Sequence, residues 1–294
     1  MTLRDVLVLL RPEHWVKNLF LFIPAFFAAR LSDPSVLLRS VAGFVAFSLT
    51  ASAVYILNDL ADAEHDRRHP TKSKRPVASG VIGLPLALVF MVFLLLISAA
   101  LASWLGQKML MFTVLYFLSN VAYSFFLKHI AIVDISLIGV GFLLRVFAGG
   151  AATGVAVSQW LTVLTFLLAL ILALAKRRGE YLIETQQGGS TFRKSLEGYN
   201  LQFLDMSIVV CSTVAIVAYL MYCFSPEVTE RIGSHQIYYT AFFAVVGILR
   251  YLQLTWVYEK TESPTRALLT DTFLQLVLLA WVGCFVWLLY GRHS

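Results

Sequence analysis

Asn58, Asp59, Asp62 and Asp66 stand together directly after an apolar run that begins near Leu38. In a continuous helix the three aspartates fall at i, i+3 and i+7 and share one face. Oxygen donors of this kind suit a hard cation such as Mg²⁺, which is usually held by one or two carboxylates together with substrate phosphates. A solvated helix end is the plainer reading, but it gives no role to the basic residues that follow. Lys72, Lys74 and Arg75 lie in His69-Pro70-Thr71-Lys72-Ser73-Lys74-Arg75-Pro76-Val77-Ala78-Ser79-Gly80. Lysine offers phosphate a point charge and arginine a two-pronged fork. His65 and His69 have a spacing that can bind zinc, but Pro70 and the oxygen-rich setting argue against it. The expected chemistry is metal-assisted work on phosphates.

The elements that carry these residues are membrane spans. Of the 294 residues 59% are hydrophobic and 14% charged, against about 25% charged in soluble domains. A span needs roughly 20 mostly apolar residues. Segments near 16–31, 36–58, 83–105, 108–127, 131–150, 159–176, 205–224, 236–257 and 270–290 qualify, the first being interrupted by Pro24. With a cytoplasmic N-terminus, only Arg30, Arg39, Lys108, Arg231 and Arg292 of the 23 Lys and Arg fall outside, and Arg145 lies within a span. That bias fixes the orientation. The net charge of +6 then reflects topology, and no nucleic-acid partner is expected. Residues 1–15 read as an amphipathic segment on the inner surface. The cysteines Cys211, Cys223 and Cys284 lack metal-ligand spacing and read as packing residues. The polar chemistry gathers in the inner loops 59–83 and 177–204, within a single domain covering 1–294.

The motif Asn58-Asp59-x-x-Asp62-x-x-x-Asp66, followed by Arg75-Pro76-x-Ala78-x-Gly80, resembles the first aspartate-rich motif of the UbiA superfamily of intramembrane prenyltransferases. Tyr123-Ser124-Phe125-Phe126-Leu127-Lys128 is similar to that superfamily's Tyr-x-x-x-x-Lys segment. The resemblance covers essentially the whole chain. It implies an all-α bundle of about nine transmembrane helices around a central cavity open to the cytoplasm. It also implies Mg²⁺ bound by Asn58, Asp59, Asp62 and Asp66, the three aspartates being catalytic.

One departure redirects the reading. Where the family carries a second aspartate-rich motif after its sixth span, this chain has Lys176-Arg177-Arg178-Gly179-Glu180-Tyr181. That arrangement resembles the polyprenyl-phosphate phosphoribosyltransferase branch. So do Arg11-Pro12-x-x-Trp15-Val16-Lys17-Asn18 and His69-Pro70-Thr71-Lys72. The branch implies transfer of 5-phosphoribose from phosphoribosyl diphosphate (PRPP) to a polyprenyl (decaprenyl-type) phosphate, with release of diphosphate. It makes Lys17, Asn18, Lys72, Arg75, Tyr123, Lys128, Lys176 and Arg177 the phosphate-binding set. Lys72 and Arg75 would serve the diphosphate, and Lys176 and Arg177 another phosphate.

Glu180 either holds a ribose hydroxyl or pairs with Arg177. Asp134 either completes a metal shell, orients Lys128, or simply favours a helix start. Arg145, an intramembrane charge, is expected to have a structural partner. A polyprenyl-chain transfer to an aromatic acceptor is the alternative, with Glu180 and Glu184 as the nearest substitute for the missing aspartates. A transporter with a metal site would need more ionisable residues inside the spans. The branch further implies a multi-pass protein of the bacterial inner membrane, active on the cytoplasmic side in cell-wall synthesis. A homo-oligomer is compatible with it.

Overall fold

The computed structural model describes residues 2–67, 72–186, 194–232, 234–259 and 270–290. Among these, every regular element is a helix. The chain divides into two compact units, Met1–Phe126 with Gly141–Val157, and Leu127–Val140 with Ser158–Ser294.

The first unit opens with α1 (Leu3–Leu10), started by a capping box in which Thr2 and Asp5 bond reciprocally. A 3-10 run follows over Pro12–Phe22, then the short α2 (Ile23–Phe27). The expected first span at 16–31 is therefore not one continuous helix. Pro12 and Pro24 remove backbone donors, and the stretch between them winds tightly instead. Its place is fixed by Gly149, where a Cβ would lie 2.0 Å from the Leu21 carbonyl oxygen. Only a residue without a side chain permits that approach.

Next comes α3 (Pro34–Ala61), capped by Asp33, whose side chain accepts from the Ser35 N–H. It packs on α5 (Leu84–Leu105), and α6 (Gln107–Phe125) follows after a break at Gly106. Small residues such as Ala46 and Ala53 on α3 are fully buried, which lets neighbouring helices approach closely. Thr50 and Ser98 share a 2.6 Å hydrogen bond inside this contact, and Ser98 also donates to the Ala46 carbonyl. Arg39 donates to the carbonyls of Ala152 and Leu105, near the C-terminal ends of two helices, where a cation is favoured.

The helix α7 (Val133–Thr153) is shared, its residues 133–140 belonging to the second unit and 141–153 to the first. The second unit continues with α8 (Gln159–Gln186), α9 (Leu201–Phe224), α10 (Pro226–Ile232), α11 (Thr240–Trp256) and α12 (Thr272–Tyr290). Its core joins Ile171 and Leu174 of α8 to Leu204 and Ile208 of α9. Arg178 of α8 pairs with Asp205 at 2.6 Å and donates to the Thr255 carbonyl. Trp256 donates to the same Asp205.

Seven helices among the described residues are long and apolar enough to cross a membrane. The 19-residue α6 covers the expected 108–127 segment but is not one of the seven. On α5, Val89, Phe93 and Leu96 are mostly exposed at helical spacing, as a lipid-facing stripe requires. The chain is an all-helical, multi-pass membrane protein.

Candidate functional site

The aspartates do not share a single helix face. The helix α3 ends at Ala61, Asp62 forms its cap, and α4 (Ala63–Arg67) follows as a separate short helix. Asp59 and Asp66 are nevertheless brought together, because both are buried and both accept from Arg75 Nη1, at 3.2 and 2.6 Å. Arg11 donates to the same Asp59 oxygen and stacks 5.0 Å from the Tyr55 ring centre. Asp62 is half-buried at the helix end.

The turn after Arg75 explains why it can be held so firmly. Val77 is buried in the core with Ala53 and Ile56, and Ala78 is buried beside it in sequence. Ser79 N–H bonds the Arg75 carbonyl, Gly80 N–H that of Val77, and Ile82 N–H that of Pro76. Gly80 has φ +79°, a left-handed conformation that glycine adopts without a Cβ penalty. Arg67 Nε donates to the Ala78 carbonyl and ties α4 to the turn. The Arg-Pro-x-Ala-x-Gly spacing is thus a device for aiming one guanidinium at two carboxylates.

Three carboxylates and an amide oxygen are the residue types that suit a hard cation. Asn58 Oδ1 is buried without a hydrogen-bond partner, an arrangement that costs free energy unless another group satisfies it. It adjoins Asp59 in sequence, and all the available atoms are oxygens. No three His, Cys, Asp or Glu side chains meet among the described residues. A Mg²⁺ here would therefore draw part of its shell from a phosphate ligand, as that ion commonly does. A cleft of about 370 Å³ opens beside the carboxylates, with Arg11, Asp59 and Arg75 in its wall.

Two residues expected to bind phosphate are occupied otherwise. Asn18 is fully buried; its Nδ2 donates to Ser48 and its Oδ1 accepts from Arg145 Nε at 2.8 Å. It secures the 3-10 run to the helices and presents nothing to a ligand. Arg145 also donates to the Gly141 carbonyl and the Tyr116 hydroxyl. The rings of Tyr116, Phe142 and Phe47 lie 4.8, 5.2 and 5.7 Å from its guanidinium carbon. The structural partner expected for Arg145 is therefore Asn18 and an aromatic cage.

Arg177 is the second. The helix α8 runs to Gln186, so 177–186 is helical and not loop. Arg177 is 1% exposed and bonds Asp134 at 2.7 Å through Nε and Glu180 through Nη1. Of the open choices for Glu180, pairing with Arg177 is realised. Asp134, fully buried, neither faces solvent nor merely caps: it accepts from Arg177, from the Tyr199 hydroxyl at 2.7 Å and from the Ile135 N–H. Tyr199 also accepts from the Ile132 N–H. Burial, with the Asp134 carboxylate beside it, pushes the Tyr199 phenol well above its ordinary value, so it stays a donor. Lys176 is exposed and lies 3.6 Å from Glu180.

Lys17, Tyr123 and Lys128 are half-buried, Lys128 in a 3-10 turn over Leu127–His129. His69 lies outside the described residues, as do the side chains of His65 and Lys72. Arg11 and Tyr199 are the contributors that sequence reasoning missed. Arg11 opens the Arg11-Pro12-x-x-Trp15-Val16-Lys17-Asn18 signature, which gave it no role of its own, and for Tyr199 there was no signal.

Comparison with known proteins shows the family. The UbiA prenyltransferase family model matches residues 18–180. A decaprenyl-phosphate phosphoribosyltransferase from Corynebacterium glutamicum is 33% identical over 287 residues, covering 96% of this chain and 85% of its own. One from Mycobacterium tuberculosis is 34% identical over 284 residues, covering 93% and 90%. Among solved structures, a UbiA homolog from Archaeoglobus fulgidus bound to GPP and Mg²⁺ superimposes with a TM-score of 0.71 at 18% identity, covering 97% of this chain and 99% of that one. The chain belongs to the UbiA prenyltransferase family, and its sequence likeness lies with the phosphoribosyltransferase branch.

Proposed function

We propose that the protein transfers 5-phosphoribose from PRPP to a polyprenyl phosphate and releases diphosphate. The observation that carries this reading is the likeness, over nearly the whole chain, to two proteins named decaprenyl-phosphate phosphoribosyltransferase. The site is compatible with it in chemical terms. A lipid phosphate oxygen attacks C1 of the ribose, the C1–O bond to diphosphate breaks, and both electrons leave with the diphosphate. The acceptor is already an anion near neutral pH, so no general base is needed.

Asn58, Asp59, Asp62 and Asp66 would hold Mg²⁺, and the solved Archaeoglobus homolog with that ion supports its use in the family. When bound, the cation supplies positive charge against the departing diphosphate. Arg75 adds a guanidinium at the same place, anchored by its turn. Lys72 would join it, and Lys17, Tyr123, Lys128 and Lys176 remain candidates for the other phosphates. Arg177 acts through Glu180 and Asp134, which it holds in place. The prenyl-transfer alternative needs a second carboxylate pair, and Glu180 is neutralised by Arg177 and Lys176. The bias of positive charge supports a cytoplasmic N-terminus and active site in a bacterial inner membrane.

The test uses purified full-length protein, Mg²⁺, ribose-labelled PRPP and a polyprenyl phosphate. Label entering the lipid phase is the expected result. Label that stays aqueous, while a prenyl diphosphate alkylates 4-hydroxybenzoate, would sink the reading.

A further inference from the structure

Arg177 is bonded to Asp134 and Glu180, and the cleft beside α1 offers the acceptor lipid's phosphate a cationic seat besides the lysines named above. Arg4, Leu7, Val8 and Arg11 all line it. Arg4, Leu7 and Val8 share one stripe of α1, and Arg11, in a left-handed conformation at the helix C-cap, lines the cleft just beyond its end. Leu7 and Val8 are each 47% exposed although they lie against the cleft, and Arg4 is exposed as well. Arg11 uses one nitrogen on Asp59 and Arg75 one on Asp59 and Asp66, while each guanidinium has five N–H donors in all. Among the described residues, donors are left over on both. Glu13 and Asp59 bring two negative charges to the lining against the three arginines, which leaves it with one positive charge.

We infer that this cleft takes the phosphate of the acceptor, a single-chain isoprenoid monophosphate, between Arg4 and Arg11, with its first isoprene units against Leu7 and Val8. The inference rests on the phosphoribosyl-transfer reading and specifies which side of the site the acceptor occupies. About 370 Å³ holds a phosphate and the start of a chain, and the rest of the lipid lies outside it. Arg11 then links the two substrates, since it touches the cleft and the carboxylate proposed for donor chemistry. A nucleophilic oxygen seated here is beside Asp59, where the leaving diphosphate is expected.

The experiment measures KM for polyprenyl phosphate and for PRPP separately, on full-length protein in neutral detergent micelles. Arg4→Gln and Leu7→Gln are compared with the unaltered chain. Loss of one charge-assisted hydrogen bond predicts an acceptor KM raised roughly tenfold for Arg4→Gln, with the PRPP KM unchanged. Leu7→Gln is expected to raise the acceptor KM too, and the constant PRPP KM shows that both variants are folded. A raised PRPP KM with an unchanged acceptor KM, or no change in either, overturns the inference. Repeating the series with phosphatidylglycerol separates the two sources of lipid phosphate. A defect present in phospholipid-free micelles supports an acceptor site, and one that appears only with phosphatidylglycerol assigns the cleft to bulk lipid and overturns it. If the unaltered protein transfers no ribose at all, the functional reading fails instead.

Discussion

Asp59 and Asp66 share one nitrogen, Nη1 of Arg75, across the break between α3 and α4. Two buried carboxylates so close repel each other unless a cation lies between them. Arg75→Gln is therefore expected to destabilise the protein by about 1–3 kcal/mol in Mg²⁺-free detergent. Added Mg²⁺ should raise the melting temperature of this variant more than that of the unaltered chain, because the ion supplies the lost counter-charge. Equal responses would remove the metal from this pair of aspartates.

Lys176 and Arg177 are neighbours with opposite fates. Arg177→Gln strands the buried Asp134 and should cost about 3–5 kcal/mol, the usual effect of removing one partner of a buried ion pair. Lys176→Gln, at an exposed side chain, should change stability by less than about 0.5 kcal/mol while lowering transfer. Thermal unfolding and turnover measured on both variants check the contrast. Similar melting temperatures for the two would contradict the burial of Arg177.

Asn18 and Arg145 should behave as one unit. Asn18→Ala and Arg145→Met are each expected to destabilise by about 1–3 kcal/mol. The double variant should fall short of their sum by about 0.5 kcal/mol or more, since the same contact is lost twice. A double-mutant cycle by denaturation in detergent makes the measurement, and strict additivity would contradict the shared network.

These contrasts mark where the sequence was legible. Apolar runs of span length announce helices because a bilayer demands them, and most of the expected segments match helices here. That Asp59, Asp66 and Arg75 stand together was legible because they belong to one short motif, and both carboxylates accept from Arg75. The buried partners of Asn18 and Arg177 were not legible, because a polar residue at a span end looks the same whether it faces a ligand or a buried partner. Arg177's partner Asp134 lies 43 residues away, and only the fold supplies that contact. Where Arg11 and Tyr199 bond is a tertiary fact of the same kind. The first expected segment is a 3-10 run followed by a short helix rather than one α-helix, because Pro12 and Pro24 interrupt the backbone donors.

Gly149 tests how the 3-10 run is held. A methyl group there would meet the Leu21 carbonyl oxygen, a backbone atom that cannot step aside cheaply. Gly149→Ala should cost about 1–3 kcal/mol or more and lower activity by displacing the run that follows Arg11. Normal stability in this variant would show that the run adapts without cost.

The most direct test of the central claim asks which bond breaks. PRPP is supplied with one label on the ribose and another on the β-phosphate of its diphosphate, together with polyprenyl phosphate and Mg²⁺. Cleavage at C1 predicts that ribose label enters the lipid phase while the β-phosphate label is recovered in the aqueous phase as diphosphate, in equal amounts. Both labels moving into lipid, or neither, would contradict the account.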